Sequence, residues 1–187
     1  MTSGWWHLRQ SAQAMHRGGV IAYPTEAVWG LGCDPYNPDA VARLLEMKRR
    51  PEHKGLVLIA GSLDQIHPLL APLSSSDVDK ITASWPGPYT WVIPDVRGII
   101  PTWIKGKHNT VAVRVSAHSG VKMLTDVFGS YIVSTSANPS NYSPARDELR
   151  VRTYFGDKLS YVLPGSLGDL SQPTQIRDLA TDRLVRA

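Results

Sequence analysis

Four short stretches of this chain set cations, hydroxyls and small residues at spacings that could handle an anion. The densest is Lys48-Arg49-Arg50-Pro51-Glu52-His53-Lys54-Gly55. A proline disfavours helical geometry at the residue before it, so a helix arriving here is predicted to end near Arg50 and the chain to turn extended. In extended chain, residues two apart point the same way. That puts Lys48 and Arg50 on one face and Arg49 on another, with Lys54 just ahead of an apolar run starting at Leu56. Three cations at a strand mouth suit a polyphosphate, because arginine offers a bidentate fork and lysine a point charge. The plainer reading is a helix end whose basic residues complement the macrodipole.

Tyr131-Ile132-Val133-Ser134-Thr135-Ser136-Ala137-Asn138 runs an apolar strand straight into hydroxyls. Period two places Ser134, Ser136 and Asn138 on one side. Strand ends are where open α/β sheets tend to bind ligands, and such small donors can approach phosphate or carboxylate oxygens. The alternative is a turn that satisfies its own backbone. In Thr110-Val111-Ala112-Val113-Arg114-Val115 the valines share one face and Thr110, Ala112 and Arg114 the other. An arginine on so apolar a strand needs an anionic partner, either a ligand carboxylate or an Asp or Glu of the protein. Tyr23-Pro24-Thr25-Glu26-Ala27-Val28-Trp29-Gly30 ends a strand in a proline turn with a hydroxyl and a carboxylate. By itself it reads only as a turn.

The common nucleotide and metal signatures are missing. Gly30-Leu31-Gly32 lacks the third glycine of GxGxxG, Gly106-Lys107 lacks the upstream glycine of a P-loop, and no HExxH occurs. The six histidines show no metal-ligand spacing, so no metal ligands are assigned. The single cysteine, Cys33, excludes an internal disulfide and a multi-cysteine zinc site, and reads as a small buried apolar residue.

Positioning these groups requires alternating helices and strands. Trp5, Leu8, Ala12 and Met15 recur at helical spacing until Gly18-Gly19. A buried strand is predicted at 20–23, and a helix capped by Asn37-Pro38 runs to about Lys48. Residues 56–60 read as a central strand, and Ser62-Leu63-Asp64-Gln65 as a capping box opening the next helix. Further helices are expected at 76–84, 121–128 and 147–155, and strands at 89–93, 111–115, 131–135, 161–163 and 176–179. The pattern predicts a mixed, largely α/β sheet with helices against it. Strand direction is not legible. With 187 residues, 42% hydrophobic, and glycine and proline spread along the chain, one domain over 1–187 is expected. No apolar run reaches the bilayer-spanning length of about 20 residues. The N-terminal residues resemble no secretory signal, and together these features predict a cytoplasmic protein without membrane contact. The net charge of +4 favours anionic ligands, nucleotide or RNA, without choosing between them.

Taken in order, PTEAVWGLGCDP, KRRPEHKGLVL, TVAVRV and STSAN, with WPGPYTWV and PTQIRDL, resemble the YrdC/TsaC family of L-threonylcarbamoyladenylate synthases over residues 20–186. The resemblance implies an open, twisted, mixed sheet flanked by helices, with a large positively charged concave surface. It also implies a nucleotidyltransferase that condenses L-threonine, bicarbonate and ATP into threonylcarbamoyl-AMP, releasing pyrophosphate. Partner proteins would then transfer the threonylcarbamoyl group to adenosine 37 of tRNAs reading codons that begin with A. Carried over residue by residue, Lys48 and Arg50 match the KxR element and act on the phosphates as catalytic residues. Lys54, Thr110, Ser136, Asn138 and Arg186 match further ATP contacts. Thr25, Arg114, Ser134 and Thr174 match positions that hold threonine. Two positions depart from the pattern: a strand histidine of longer relatives is Ile59 here, and their STVVD reads Thr174-Gln175-Ile176-Arg177-Asp178. Mg²⁺ is expected with ATP, held by phosphate oxygens. The competing reading of a basic concave protein is a double-stranded RNA-binding or ribosome-assembly module. A carbamoyl-transfer domain of hydrogenase maturation is a third, disfavoured by length.

Overall fold

The computed structural model describes residues 2–172 and 174–186, the side chains of residues 2, 3 and 186 excepted. Helix α1 (Thr2–His16) buries Leu8, Ala12 and Met15, whereas Trp5 from the same predicted stripe is 58% exposed. Strand β1 (Ile21–Pro24) turns back through residues 25–28 into β2 (Trp29–Gly32). The sequence predicts a turn over 23–30 and no strand at 29–32, because two glycines in four residues carry little strand propensity. Helix α2 (Pro38–Lys48) starts as expected: Asn37 Oδ1 accepts the Ala40 N–H at 3.0 Å, and proline takes the first turn. It also stops as expected, but by a different device. Arg49 adopts the left-handed conformation (φ 50°, ψ 44°), not extended chain, and its N–H returns to the Glu46 carbonyl.

A 3-10 turn (Glu52–Lys54) leads into β3 (Val57–Ala60), followed by α3 (Leu63–Leu70) and α4 (Ser75–Thr82). The predicted capping box at Ser62 does not form. Ser62 makes no side-chain cap, and Gln65 Oε1 instead accepts the Gly61 N–H at 2.9 Å. Then come β4 (Tyr89–Pro94), the short α5 (Thr102–Lys105), β5 (Thr110–Val115), α6 (Ser119–Phe128), β6 (Ile132–Ser136) and α7 (Glu148–Phe155). Strands β7 (Tyr161–Val162), β8 (Gln175–Asp178) and β9 (Leu184–Arg186) end the chain. Helix α5 and strand β9 had no recognisable pattern, each being too short to show periodicity.

Among the described residues nine strands form one mixed sheet in the order β7-β1-β2-β6-β3-β5-β4-β8-β9. The pairs β1–β7, β3–β5 and β4–β8 are parallel, and the rest are antiparallel, including the run from β1 through β2 and β6 to β3. Alternating side chains sort to two faces. Leu31, Leu58, Val113 and Val133 go to one core with Leu44 of α2, Ile66 of α3 and Ile81 of α4. Ile21, Tyr23, Ile59 and Ile132 go to the other, under Leu8 and Met15 of α1 and Leu124 and Phe128 of α6. These two helices roof only part of the second face. Two residues on from Ile132 and two back from Ile59, the same rows of side chains reach Ser134 and Val57, which line an open cavity beside Arg114, itself level with Ile59. The hydrophobic floor becomes polar where the helical roof ends.

One buried ion pair ties the end of α5 to the residue that follows β4. Asp95 accepts from Lys105 Nζ at 2.7 Å and from the N–H groups of Ile99 and Ile100, with side-chain exposures of 14% for Lys105 and 1% for Asp95. Burial pushes the Asp95 carboxyl up, but Lys105 and the two N–H groups outweigh it and hold the group below its usual range. A depressed carboxyl adds stability above its unfolded value, near pH 4, and that stability is lost as pH falls toward the folded value. Asp95→Asn is expected to cost about 3 kcal/mol by denaturant titration at neutral pH. The same variant is expected to flatten the acid limb of stability against pH.

Candidate active site

The cavity measures about 330 Å³, within the range of small-molecule sites. Its cations come from two stretches of chain. Lys48, the last residue of α2, is 4% exposed, and its ammonium donates to the carbonyls of Ser136 and Asn138 (2.8 Å to the latter). Arg50 donates to the Gly55 carbonyl from Nε (3.2 Å) and Nη2 (2.9 Å), which folds the guanidinium back over the turn that carries Lys54. Lys48 and Arg50 both line the cavity and the left-handed Arg49 between them does not, the outcome that the extended-chain argument expected for another geometric reason.

The fourth cation lies deeper. Arg114 on β5 is 6% exposed; its Nη1 donates to Thr174 Oγ1 at 2.8 Å, and its Nη2 lies 3.4 Å from Glu26 Oε2. That last contact is a charge pair without hydrogen-bond alignment, since Glu26 Oε2 and Arg114 Nε have no hydrogen-bond partner among the described residues. Glu26 Oε1 accepts from Ser116 Oγ at 2.6 Å. Of the two anionic partners the sequence left open for Arg114, the protein supplies a carboxylate. Lone burial of such a charge costs several kcal/mol, so Glu26 makes the arginine tolerable.

Hydroxyls and amides complete the wall. Ser134 and Ser136 stand on β6, followed by Asn138, whose Nδ2 donates to the Tyr142 carbonyl at 2.7 Å while its buried Oδ1 has no partner among the described residues. Ser140 Oγ donates to the carbonyls of Lys48 (2.9 Å) and Arg49 (3.0 Å), tying this loop to the end of α2. Thr25 Oγ1 closes the β1–β2 turn on the Val28 carbonyl at 2.7 Å. The segment from β7 to β8 crosses from one edge of the sheet nearly to the other. It is pinned over the turn by Gly168 N–H to the Thr25 carbonyl and Leu170 N–H to the Glu26 carbonyl, and it delivers Thr174 to Arg114.

Nine of the eleven site residues expected from the sequence therefore line one cavity: Thr25, Lys48, Arg50, Lys54, Arg114, Ser134, Ser136, Asn138 and Thr174. Thr110 does not. It opens β5 opposite Pro94, two residues ahead of Ala112, which faces Val57. The Arg186 side chain lies outside the described residues. Ile59, in place of the histidine of longer relatives, is fully buried under α1 and α6. Sequence reasoning missed Ser140 and the apolar wall of Ala27, Val28, Trp29 and Ile176. It noted Glu26 and Tyr23 without a role.

A model described as Telomere recombination, for Sua5, YciO and YrdC proteins, matches residues 13–187. The chain belongs to the Sua5/YciO/YrdC family. Among curated proteins it is 49% identical over 97% of its length to a threonylcarbamoyl-AMP synthase of Hahella chejuensis, covering 98% of that protein. It is 53% identical over 91% of its length to one of Halorhodospira halophila, covering 89% of that protein. Among solved structures, P. abyssi Sua5 complexed with L-threonine superposes with a TM-score of 0.89 at 29% identity over 97% of this chain. The chain spans about half of that Sua5, 54% of its length. E. coli YciO, 22% identical with a TM-score of 0.83, shares the fold over 97% of this chain and 89% of its own. Mixed α/β architecture with a twisted sheet between helices is thus common to the family members compared.

Proposed function

We propose that this chain is a threonylcarbamoyl-AMP synthase and that the cavity on the open part of its sheet is where L-threonine, bicarbonate and ATP meet. The observation that carries the reading is the lining itself: Lys48, Arg50, Lys54 and Arg114 enter one cavity with Ser134, Ser136 and Asn138, and no carboxylate is among the described residues that line it. The amine of threonine and bicarbonate condense to a carbamate, the new N–C bond forming as a C–O bond of bicarbonate breaks and water leaves. A carbamate oxygen then attacks the α-phosphorus of ATP, and the bond to the pyrophosphate oxygen breaks. Both reactants are anions, so repulsion between them is the main obstacle, and catalysis is chiefly positioning and charge neutralisation.

Lys48, Arg50 and Lys54 face the phosphates in this scheme, with Ser136 and Asn138 as small donors that leave room for the nucleotide. Thr110 and Arg186 remain candidate nucleotide contacts on the strength of the resemblance alone. Arg114, Thr25, Ser134 and Thr174 hold threonine, the arginine through its carboxylate. The residues present do not fit a protein-built magnesium cage: among the described residues no three His, Cys, Asp or Glu side chains could share a metal. Mg²⁺ accordingly enters with ATP on phosphate oxygens, as part of the substrate. The labile adenylate passes to partner proteins that modify tRNA. We place this chemistry in the cytoplasm, where tRNA and ATP are found. Among the described residues no helix is long and apolar enough to cross a membrane. No observation favours the RNA-binding module as a separate reading.

The test is pyrophosphate release from the purified chain with threonine, bicarbonate and ATP, and with each omitted in turn. Release is expected only with all three, and equal release without threonine would refute the reading. ATP and threonine together are expected to raise Tm more than threonine alone, since the phosphates meet most of the cations.

A further inference from the structure

The paired glycines of Gly30-Leu31-Gly32, too few for a dinucleotide fingerprint, have a different use in this fold. Tyr23 on β1 is fully buried, and its hydroxyl donates to Ser134 Oγ at 2.8 Å. These residues are not neighbours: β2 lies between β1 and β6. Crossing a strand means spanning roughly 10 Å between backbones, which a side chain manages only by lying flat over the intervening strand. Glycines allow this. A Cβ built at Gly30, the register partner of Tyr23, would stand 3.2 Å from its Cζ, and one at Gly32 would stand 2.8 Å from its Cε1. The β2 surface is hollowed to the shape of the phenol ring, and the ring delivers one hydroxyl to the cavity floor.

Resting on the synthase reading, we propose that Tyr23 is a positioning residue that commits Ser134 to act as a hydrogen-bond donor toward the substrate amino acid. The Ser134 oxygen accepts the phenol proton, so the serine's own hydrogen must point elsewhere. Among the described residues no acceptor takes it, and Ser134 lines the cavity beside Arg114. A carboxylate held by Arg114 is an acceptor of the required kind. Burial pushes the Tyr23 phenol well above its ordinary range, so it stays protonated and the direction of the bond does not reverse with pH. A water-exposed serine would rotate between donor and acceptor roles, whereas this one is held in a single role before the substrate arrives.

Tyr23→Phe keeps the ring and the glycine bed and removes only the donor. The expected result is a threonine KM raised about five- to tenfold, with kcat and the KM for ATP within twofold of wild type. Ser134→Ala is expected to raise the threonine KM at least as far, and Tyr23→Phe added to it to change nothing more, because the two act as one unit. Calorimetric titration of threonine into each folded variant is expected to give the same ratios. A threonine KM and affinity unchanged in Tyr23→Phe, or multiplicative effects in the double variant, would overturn the inference while leaving the synthase reading intact. A wild-type chain without threonine-dependent pyrophosphate release would overturn both.

Discussion

Lys48→Ala is expected to lower threonine-dependent pyrophosphate release by about a hundred- to a thousandfold, the usual cost of removing one well-placed charge from a water-poor site. Lys48 is 4% exposed, and the carbonyls of Ser136 and Asn138 aim its ammonium. It also ends α2, where the partial negative charge of the helix terminus favours a cation. The residue thus has two jobs, neutralising phosphate charge and tying α2 to the loop after β6. Ser140 still binds the Lys48 and Arg49 carbonyls in the variant, so the loop keeps an anchor and the fold is expected to survive with a loss of about 1–2 kcal/mol. Stopped assays against ATP concentration and a thermal melt separate the two jobs. Full turnover in a folded Lys48→Ala protein would remove the phosphate role. Arg50→Ala should fall less far, about ten- to a hundredfold, because Lys54 stands on the turn that Arg50 braces.

Arg114→Ala is expected to fail in two separable ways. Removing the guanidinium leaves Glu26 buried without its counter-charge, which costs about 3–5 kcal/mol of stability. It also removes the proposed anchor for the threonine carboxylate, so the threonine KM should rise about a hundredfold or more. Adding Glu26→Gln distinguishes the losses: the double variant is expected to regain most of the melting temperature, since an amide tolerates burial far better than a lone carboxylate, yet to bind threonine no better. Recovery of threonine binding along with stability would mean that Arg114 acts only as a structural partner of Glu26.

Much of the fold was legible because its signals are local. The asparagine cap and proline of α2, the alternating valines of β5 and the run of apolar residues into β6 each report on a few neighbouring residues, and each element appears within a residue or two of its expected bounds. Errors arose where a local rule met a non-local demand. Strand β2 was unreadable because its glycines answer to a tyrosine ring arriving from β1. Ser62 matched a capping box, but Gln65 turned to the Gly61 N–H and to Asp126 of α6 instead. Arg49 broke its helix through a left-handed residue where extended chain was expected, which left the cavity-facing outcome for Lys48 and Arg50 unaltered.

The order of residue types along the chain decided the chemistry available: cations two apart before a strand, hydroxyls two apart after one, an arginine among valines. Period and charge are properties of neighbours, and neighbours are what a linear string records. Convergence is another matter. Lys48 meets Asn138 across 90 positions, Arg114 meets Thr174 across 60, and Ser116 meets Glu26 across 90. Those meetings follow from the strand order, which sets β6 between β2 and β3 and sends the β7–β8 connection across the sheet. Only the folded chain could show that α1 and α6 stop short of covering the sheet, and that bare stretch is where the charged and hydroxylated rows come together.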